Sequence, residues 1–205
     1  MTRDPSIFER ADAWRCDLSF SDELVGQRLT FSATWGLFSP ERVDDGSRML
    51  LEHIDWSELP GDCLSIDLGC GVGTLGLTAA KLKPSGMHTL IDKDFVAIDY
   101  AKKNAQQNAL ESSTRVLLSN GFSAIDLKER FDLVMSNLPA KASKEQHYLY
   151  LIDAYQRMKP GAKFYVVTIN GLREFMKRSF TEVFGNSKKI KQGKTYTITL
   201  AERSY

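Results

Sequence analysis

Residues 64–76 combine one carboxylate with four closely spaced glycines. In order they are Leu64, Ser65, Ile66, Asp67, Leu68, Gly69, Cys70, Gly71, Val72, Gly73, Thr74, Leu75 and Gly76. An apolar run gives way to glycines and apolar residues then resume at helical spacing, which predicts a strand, a tight turn and a helix. Glycine lets a ligand lie against the backbone, and the helix start directs free N–H groups at that ligand. We therefore predict a nucleotide-like ligand, with Asp67 at the mouth of the strand.

The same glycines fit more than one function. Gly71, Gly73 and Gly76 match the dinucleotide fingerprint G-x-G-x-x-G, and Asp92 follows Gly71 by about twenty residues, as the ribose-binding acid does in that motif. This pattern is compatible with an NAD-linked oxidoreductase. A turn that only packs a helix on a strand is the alternative without a ligand. The glycines alone leave these interpretations open.

The composition indicates a domain of ordinary size with little net charge. The 205 residues include 27 Lys and Arg against 26 Asp and Glu, so no overall field draws the chain to nucleic acid or membrane. The cysteines form no CxxC pair, which indicates reduced thiols, and the histidines lack metal-ligand spacing. These residues are Cys16, Cys63, Cys70, His53, His88 and His147. The sequence has no long apolar run and no signal-peptide pattern. We therefore expect a cytoplasmic protein that neither spans a membrane nor binds a metal ion.

Short apolar runs and helical patterns alternate along the chain. Predicted strands cover 64–68, 87–91, 115–118, 131–135, 162–168, 188–191 and 195–200, and predicted helices cover 94–109, 144–158 and 171–184, with further helices around residues 49–54 and 75–82. Such alternation predicts an α/β fold with a doubly wound, mostly parallel seven-stranded sheet, and the last two strands predict an antiparallel C-terminal edge hairpin.

The N-terminal residues are predicted to form an extension that is distinct from the main domain. Residues 1–34 are assigned to an extension and a β-hairpin, with 1–13 polar and loosely docked, and residues 35–205 to the main domain. Alternating segments at 15–20 and 27–33 predict the hairpin, with its turn over 21–26. The hairpin either only covers the core or contacts a substrate. The loop over 36–46 leads toward the first strand of the sheet and either closes over the ligand or is structural.

Further motifs accompany the glycine-rich turn. They are Gly36-Leu37-Phe38-Ser39, Asp44-x-Gly46-Ser47, Asp67-Leu68-Gly69-Cys70-Gly71-x-Gly73, Asp92, Asn120, Ser136-Asn137-x-Pro139, Val183-Phe184-Gly185-Asn186 and Gly193-Lys194-x-Tyr196. From about residue 28 to its C-terminus, the chain resembles class I S-adenosylmethionine-dependent methyltransferases. More narrowly, it resembles the "methyltransferase small" group, which includes ribosomal RNA guanine-N2 methyltransferases. The resemblance implies a Rossmann-like methyltransferase fold and S-adenosylmethionine as the cofactor.

The resemblance also implies a set of cofactor-binding residues. They are Phe38, Asp67, Gly69, Cys70, Gly71, Gly73, Asp92, Lys93, Asn120, Gly121, Phe122 and Asn137. Asp67 would lie near the charged amino end of the cofactor, and Asp92 would accept hydrogen bonds from both ribose hydroxyls. Asn120 would bond the adenine edge, with Phe122 packed on the adenine ring. The alternatives are that Asp92 caps the next helix and that Asn120 belongs to an ordinary Asn-Gly turn.

The segment Asn137-Leu138-Pro139 carries the chemistry that the resemblance implies. Family members with Asn-Pro-Pro-aromatic at this place methylate amino nitrogens conjugated to a ring or carbonyl. The Asn137 oxygen and the Leu138 carbonyl can accept both amino protons and hold that nitrogen in line with the methyl group. Leu138 replaces the first proline of the pattern and Ala140 replaces the aromatic residue. The alternative is a strand-terminating turn in a cofactor-binding module that transfers no methyl group.

RNA guanine N2 is the leading predicted substrate, with protein glutamine or a small amine behind it. Lysines could hold RNA phosphates, or could protect a sheet edge from pairing; they are Lys141, Lys144, Lys188, Lys189, Lys191 and Lys194. His147 is interpreted as a solvated helix residue, with a general base as the alternative. Phe38 or Tyr148 could supply the aromatic ring that Ala140 lacks. We expect a monomer or a homodimer.

Overall fold

The computed structural model describes residues 5–14, 16–139 and 142–204. The helices are α1 (Pro5–Trp14), α2 (Asp45–His53), α3 (Thr74–Leu82), α4 (Phe95–Gln107), α5 (Lys144–Arg157) and α6 (Arg173–Phe184). The strands are β1 (Leu18–Leu24), β2 (Gln27–Ala33), β3 (Leu64–Leu68), β4 (Met87–Asp92), β5 (Thr114–Leu118), β6 (Phe131–Asn137), β7 (Met158–Ile169), β8 (Lys188–Gln192) and β9 (Tyr196–Glu202). Across these ranges no helix has the length and apolar character needed to cross a bilayer.

Seven of the strands form one sheet in the order β5-β4-β3-β6-β7-β9-β8. The pairs from β5 through β7 are parallel. β9 and β8 then run antiparallel and form the C-terminal edge hairpin. Because β4 and β6 lie on opposite sides of β3, the segments that follow these three strands meet at one edge of the sheet. Open α/β sheets bind their ligands at such a switch point.

Helices cover both faces of this sheet, and β6 shows how. Leu133 and Met135 point into a core that includes residues of α2, α3 and α4. Val134, between them, points into a second core shared with α5 and α6. This alternation is the two-residue period of a strand that is buried on both faces. The predicted doubly wound, mostly parallel sheet with an antiparallel edge is confirmed.

The N-terminal hairpin is tighter than predicted. β1 and β2 are joined by Val25 and Gly26 alone, with φ of 51° and 73°. Two successive positive φ values match the twist of a hairpin, so the predicted turn over 21–26 is wrong and β1 extends into it. The hairpin is anchored to α4 through Asn104, whose Oδ1 accepts from the Ser32 N–H at 2.7 Å and whose Nδ2 donates to the Ser32 carbonyl at 3.0 Å.

Other boundaries also differ from the prediction, including the start of β7, which is Met158 and not residue 162. Residues 5–14 form α1 instead of a loosely docked polar segment, and residues 1–4 lie outside the described residues. Pro5 suits the first helical position, because its ring presets φ and no N–H is needed there. β6 continues past its predicted end at residue 135, since Ser136 and Asn137 extend the ladder with β7. The side chain of Asn137 is therefore positioned by a buried strand.

Candidate active site

A cavity of about 680 Å³ lies at the carboxyl edge of β3, β4 and β6. The predicted site residues that line it are Phe38, Asp67, Gly69, Cys70, Gly71, Asp92, Lys93, Gly121, Asn137, Leu138 and Pro139. They come from the segments that follow neighbouring strands and from the loop before α2. Tyr150 of α5, Ile169 of β7 and Tyr196 of β9 also line it. The volume is typical of pockets that bind small molecules and cofactors.

The glycine-rich turn has two kinds of glycine. Gly69 and Gly71 have φ of 75° and 54°, and a Cβ on either would have no described atom within 4 Å, so both leave backbone open to the cavity. Gly73 and Gly76 instead face protein. A Cβ on Gly73 would lie 2.9 Å from Leu77 Cδ1, and one on Gly76 would lie 2.5 Å from the Leu90 Cγ. Gly73 therefore allows close packing of helix on strand, which is a different role from the predicted cofactor contact.

Asp67 is a buried carboxylate with one oxygen unused. Its side chain is 1% exposed, and its Oδ2 accepts from the Gly76 N–H at 2.8 Å. Its Oδ1 has no hydrogen-bond partner among the described residues. Burial raises the pKa of Asp67 to about 7, against the effect of the Gly76 N–H and with a further rise from Asp92. A buried oxygen without a donor is costly, so a cationic group in the cavity would stabilise it.

Asp92 ends β4 beside the glycine-rich turn. Its Oδ2 accepts from the Gly71 N–H at 2.9 Å, and its Oδ1 accepts from the Asp94 N–H at 3.0 Å. The residue that caps α4 is Asp94, whose side chain accepts from the Val96 N–H, so the alternative role of Asp92 as that cap is wrong. A carboxylate oxygen accepts more than one hydrogen bond, and Asp92 is only partly buried. Its oxygens can therefore also accept hydrogen bonds from hydroxyl groups of a ligand.

The segment after β5 is arranged differently from the prediction. Gly121 lines the cavity, whereas the side chain of Asn120 is exposed to solvent. Phe122 is 1% exposed and lies in the core, with the guanidinium carbon of Arg157 5.5 Å from its ring centroid. The Ser119 hydroxyl donates to the Gly121 carbonyl at 2.7 Å, which curls this turn inward. Packing of Phe122 on a ligand ring therefore disagrees with the structure.

Tyr150 provides the aromatic ring at this end of the cavity. A Cβ on Gly121 would lie 2.7 Å from Tyr150 Cε1, so the ring lies directly against this turn. Gln146, one helical turn earlier on α5, donates from its Nε2 to the Tyr150 hydroxyl at 2.6 Å. Neither Gln146 nor Tyr150 belongs to a motif that is recognisable in the sequence. The sequence feature that could have indicated them is their i, i+4 spacing, which puts Gln146 and Tyr150 on one face of a helix. The order of elements places that helix directly after β6.

Asn137, at the end of β6, is held by two hydrogen bonds from its amide nitrogen. Nδ2 donates to Asp44 Oδ2 at 2.8 Å and to Ser47 Oγ at 3.0 Å. Asp44 is the N-cap of α2 and also accepts from the Tyr196 hydroxyl at 3.0 Å. Burial raises the pKa of Tyr196 to about 12, and the hydrogen bond to Asp44 acts in the same direction. These bonds use the nitrogen of the Asn137 amide, and none of the described residues donates a hydrogen bond to its oxygen.

Leu138 is held in place by packing and by a backbone bond. Its side chain is 3% exposed, and its N–H donates to the Val167 carbonyl at 3.1 Å. A proline at this position would lack that N–H. Leu138 gives up the fixed backbone φ of the proline that it replaces in the family pattern, and this bond, which only a residue with an N–H can make, offsets that loss. Pro139 follows and is exposed at the cavity, and Ala140 lies outside the described residues.

Comparison with known proteins identifies the family to which this site belongs. Residues 28–200 match the model of the methyltransferase small domain. The chain belongs to the methyltransferase small family. The match starts within β2 and ends within β9. It therefore includes the glycine-rich turn, Asp92, the end of β6 and the Asp44 region, and the predicted family is confirmed.

Similar proteins include several ribosomal RNA methyltransferases. The ribosomal RNA large subunit methyltransferase G of Vibrio vulnificus is 31% identical over 144 residues, which are 68% of this chain and 38% of that protein. The small subunit methyltransferase C of Haemophilus influenzae is 35% identical over 132 residues, 64% of this chain and 37% of that protein. The chain thus spans less than two fifths of either relative. The uncharacterized protein YbxB of Bacillus subtilis is 29% identical over 164 residues, which are 80% of this chain and 77% of that protein.

A solved structure shows the same fold. The 16S rRNA N2 methyltransferase RsmC of T. thermophilus, in complex with AdoMet and guanosine, has a TM-score of 0.80 and 26% identity. The similarity covers 90% of this chain and 50% of that one. A methyltransferase from Pyrococcus furiosus, with a TM-score of 0.65 and 22% identity over 83% of this chain and 91% of that one, shares the fold.

This member of the methyltransferase small family is a methyltransferase that uses S-adenosylmethionine, as predicted. The residues at the cavity fit that cofactor. Asp67 Oδ1, to which no described residue donates, suits its ammonium group, and the Asp92 carboxylate suits its ribose hydroxyls. The open backbone at Gly69 and Gly71 leaves room for the part of the cofactor between these groups. The predicted NAD-linked alternative does not agree with the family.

Other predicted features do not line the cavity. His147 is fully buried with its ring centroid 5.8 Å from that of Phe175, so the interpretation as a solvated residue is wrong. Burial lowers the pKa of His147, which favours the neutral imidazole.

Lys188, Lys189 and Lys191 are exposed on β8, the outer strand of the sheet. Within the described residues, no cluster of three or more His, Cys, Asp or Glu could hold a metal ion.

Proposed function

We propose that this methyltransferase acts on an exocyclic amino group of RNA, with N2 of guanine as the leading target. The observation that carries the proposal is the Asn137 amide. Its nitrogen is bound to Asp44 and Ser47 at the edge of the cofactor cavity, and its oxygen is left as an acceptor. The similarity to ribosomal RNA methyltransferases supports RNA as the substrate class, and such a substrate would place the protein in the cytoplasm.

The difficulty of the reaction lies in the nucleophile. An amino nitrogen conjugated to a purine ring is planar, and its lone pair is delocalised into the ring. When the Asn137 oxygen and the Leu138 carbonyl each accept one amino proton, they orient the nitrogen and favour its pyramidal form. Bound S-adenosylmethionine supplies a methyl group activated by a sulfonium. The amino group loses a proton readily after methylation, so the site needs no strong base.

The backbone around Asn137 supports this role. The Leu138 N–H bond to Val167 and the burial of the Leu138 side chain hold the peptide that carries the Leu138 carbonyl. We assign the stacking contact with a substrate base to Phe38, because its ring is 66% exposed and lines the cavity. Tyr148 is less suitable, because its ring packs edge-on against Phe175 and its hydroxyl bonds Glu182. Phe38 thus takes the part that an aromatic residue at position 140 would have.

The cofactor end is assigned as follows. Asp67 binds the ammonium group and Asp92 the ribose hydroxyls, while Gly69, Cys70 and Gly71 contribute backbone. Further contacts come from Lys93 and Gly121, which line the same cavity. Tyr150 replaces Phe122 as the ring beside the adenine, since it packs on Gly121 and faces the cavity. Asn120, which is exposed, is left out of this assignment.

Transfer of labelled methyl groups tests the proposal. The protein is incubated with labelled S-adenosylmethionine and an extract from cells that lack it, and RNA, protein and small molecules are then separated. We expect label in RNA, recovered as a base methylated on its amino nitrogen. The Asn137→Ala variant is compared in the same assay. Its matched control is Gln106→Ala, which removes an exposed side-chain amide on α4. Label in protein or in small amines would keep the chemistry and overturn RNA as the substrate, and label on a ring nitrogen or ribose oxygen would overturn the role of Asn137.

A further inference from the structure

The carboxylate of Asp44 is bound to four donors from three parts of the chain. Its Oδ2 accepts from the Gly46 N–H at 2.8 Å, the Ser47 N–H at 3.1 Å and Asn137 Nδ2 at 2.8 Å. Its Oδ1 accepts from the Tyr196 hydroxyl at 3.0 Å. It is also the N-cap of α2, where the helix dipole stabilises a negative charge. The carboxylate is thus held in one orientation at the reacting edge of the cavity.

We propose that Asp44 is a positioning residue that fixes which end of the Asn137 amide is presented to the substrate. This inference rests on the proposed function of Asn137 as an acceptor of amino protons. An ionised carboxylate only accepts hydrogen bonds, so the group of Asn137 that faces it must be the NH2. The hydroxyl of Ser47 can donate or accept, so the second bond cannot decide the orientation by itself. Asp44 alone makes the choice.

The alternative orientation would stop the reaction. If the amide turned by 180° about its last torsion, its NH2 would face the amino group of the substrate, and two donors would then oppose each other. The amide of an unrestrained asparagine can adopt both orientations, because the terminal torsion is broad and roughly two-fold. With Asp44 in place, the flipped form would bring the amide oxygen against a carboxylate. Repulsion between two acceptors excludes it.

Asp44 also acts on the strength of the acceptor. A hydrogen bond from an amide NH2 to a charged acceptor is stronger than one to a neutral acceptor. This bond polarises the amide, because the negative carboxylate shifts electron density from the amide nitrogen toward the amide oxygen. The oxygen therefore becomes a stronger hydrogen-bond acceptor. The oxygen is the atom that must hold an amino proton while the nitrogen becomes pyramidal. Orientation and polarisation therefore work in the same direction.

Each residue of the short motif Asp44-x-Gly46-Ser47 contributes to this arrangement. A Cβ on Gly46 would lie 2.8 Å from Asp44 Oδ2 and 3.1 Å from the ring of Tyr196. Only glycine leaves room there for the carboxylate and the tyrosine to meet. Ser47 contributes both a backbone N–H to Asp44 and a hydroxyl to Asn137. The motif positions Asn137 from 93 residues away in sequence.

The test is Asp44→Asn, which keeps the size of the side chain and its capping ability, because Asn caps helices as well as Asp. The new amide can present either end to Asn137. We expect kcat for methyl transfer to fall about tenfold to a hundredfold, with the cofactor Kd changed by less than about twofold. Ser47→Ala, which removes the neutral partner and leaves the carboxylate, should lower kcat by about threefold or less. If Asp44→Asn fails to fold, Asp44→Ser supplies another capping residue without the charge.

A second measurement does not depend on turnover. The side-chain NH2 resonance of Asn137 is identified by its loss in Asn137→Ala. In the wild-type protein, we expect slow exchange of these protons with water, and fast exchange in Asp44→Asn. Wild-type kcat together with unchanged exchange in Asp44→Asn would overturn the inference. If the wild-type protein methylated no amino group, the proposed function would fail, whereas the exchange rates would still decide whether Asp44 holds the amide.

Discussion

The two ends of the cavity differ in the groups that hold their polar side chains, which are backbone N–H groups at one end and other side chains at the other. At the end proposed to bind the cofactor, the glycine-rich turn, Asp67 and Asp92 lie on or beside two adjacent parallel strands, and the carboxylates are bound by backbone N–H groups. At the end proposed for methyl transfer, side chains of Asp44, Asn137 and Tyr196 are joined by hydrogen bonds. A site made of backbone changes little when a distant side chain is replaced. A site made of side chains depends on each member, so we expect changes at the two ends to separate cofactor affinity from transfer rate.

The largest effect on affinity should come from Asp92. Asp92→Ala removes the carboxylate proposed to bind the ribose hydroxyls and also its bond to the Gly71 N–H. Hydrogen bonds to a charged group are worth about 1.5 to 3 kcal/mol, so we expect the Kd for S-adenosylmethionine to rise about tenfold to a hundredfold. Transfer at saturating cofactor should stay within about threefold of the wild-type rate. Isothermal titration with a single-turnover assay on the same sample checks both, and an unchanged Kd would contradict the ribose assignment.

The pH dependence of binding tests Asp67. Burial raises the pKa of this carboxyl to about 7 in the free protein, so below that pH it is mostly protonated. Because an ammonium group needs the carboxylate, the cofactor Kd should rise as the pH falls below about 7, by up to about tenfold per pH unit. Binding at pH 6 should release a proton, which titrations in buffers of different ionisation enthalpy detect. Asp67→Asn should weaken binding and flatten this part of the profile, and an equal slope in both proteins would remove Asp67 from the ammonium site.

The smallest effects should distinguish Tyr150 from Phe122. Tyr150→Leu should raise the cofactor Kd by about fivefold through the lost ring contact, with little change in stability. Phe122→Leu should instead lower the free energy of unfolding by about 1 kcal/mol, because it changes the shape of a buried side chain, and leave the Kd unchanged. Denaturant unfolding and titration of both variants separate the two. The reverse pattern would restore the predicted role of Phe122.

The same contrast explains what the sequence could predict. The turn after β3 is one continuous segment with glycines at fixed spacing, so strand, turn and helix followed from local patterns, whereas the roles of Asp67 and Asp92 were implied by the resemblance and stay predictions. Phe122 could not be placed that way, because the inward curl after β5 depends on the Ser119 hydroxyl. The bond between Asp44 and Asn137 joins residues 93 apart, and no local pattern contains it. Sequence alone shows that Leu138 lacks the fixed backbone φ of the proline it replaces, whereas the bond of its N–H to Val167 is visible only in the structure.

The measurement that tests the account most directly compares binding and transfer in one preparation of Asn137→Ala. Cofactor affinity is measured by titration and methyl transfer to the RNA substrate by a single-turnover assay. We predict a Kd within about threefold of the wild-type value and a transfer rate reduced by about a hundredfold or more, the scale expected when a group that acts mainly in the transition state is removed. Gln106→Ala should match the wild-type protein in both. Full transfer by Asn137→Ala would contradict the central claim that the amide at the end of β6 prepares an amino group for methylation.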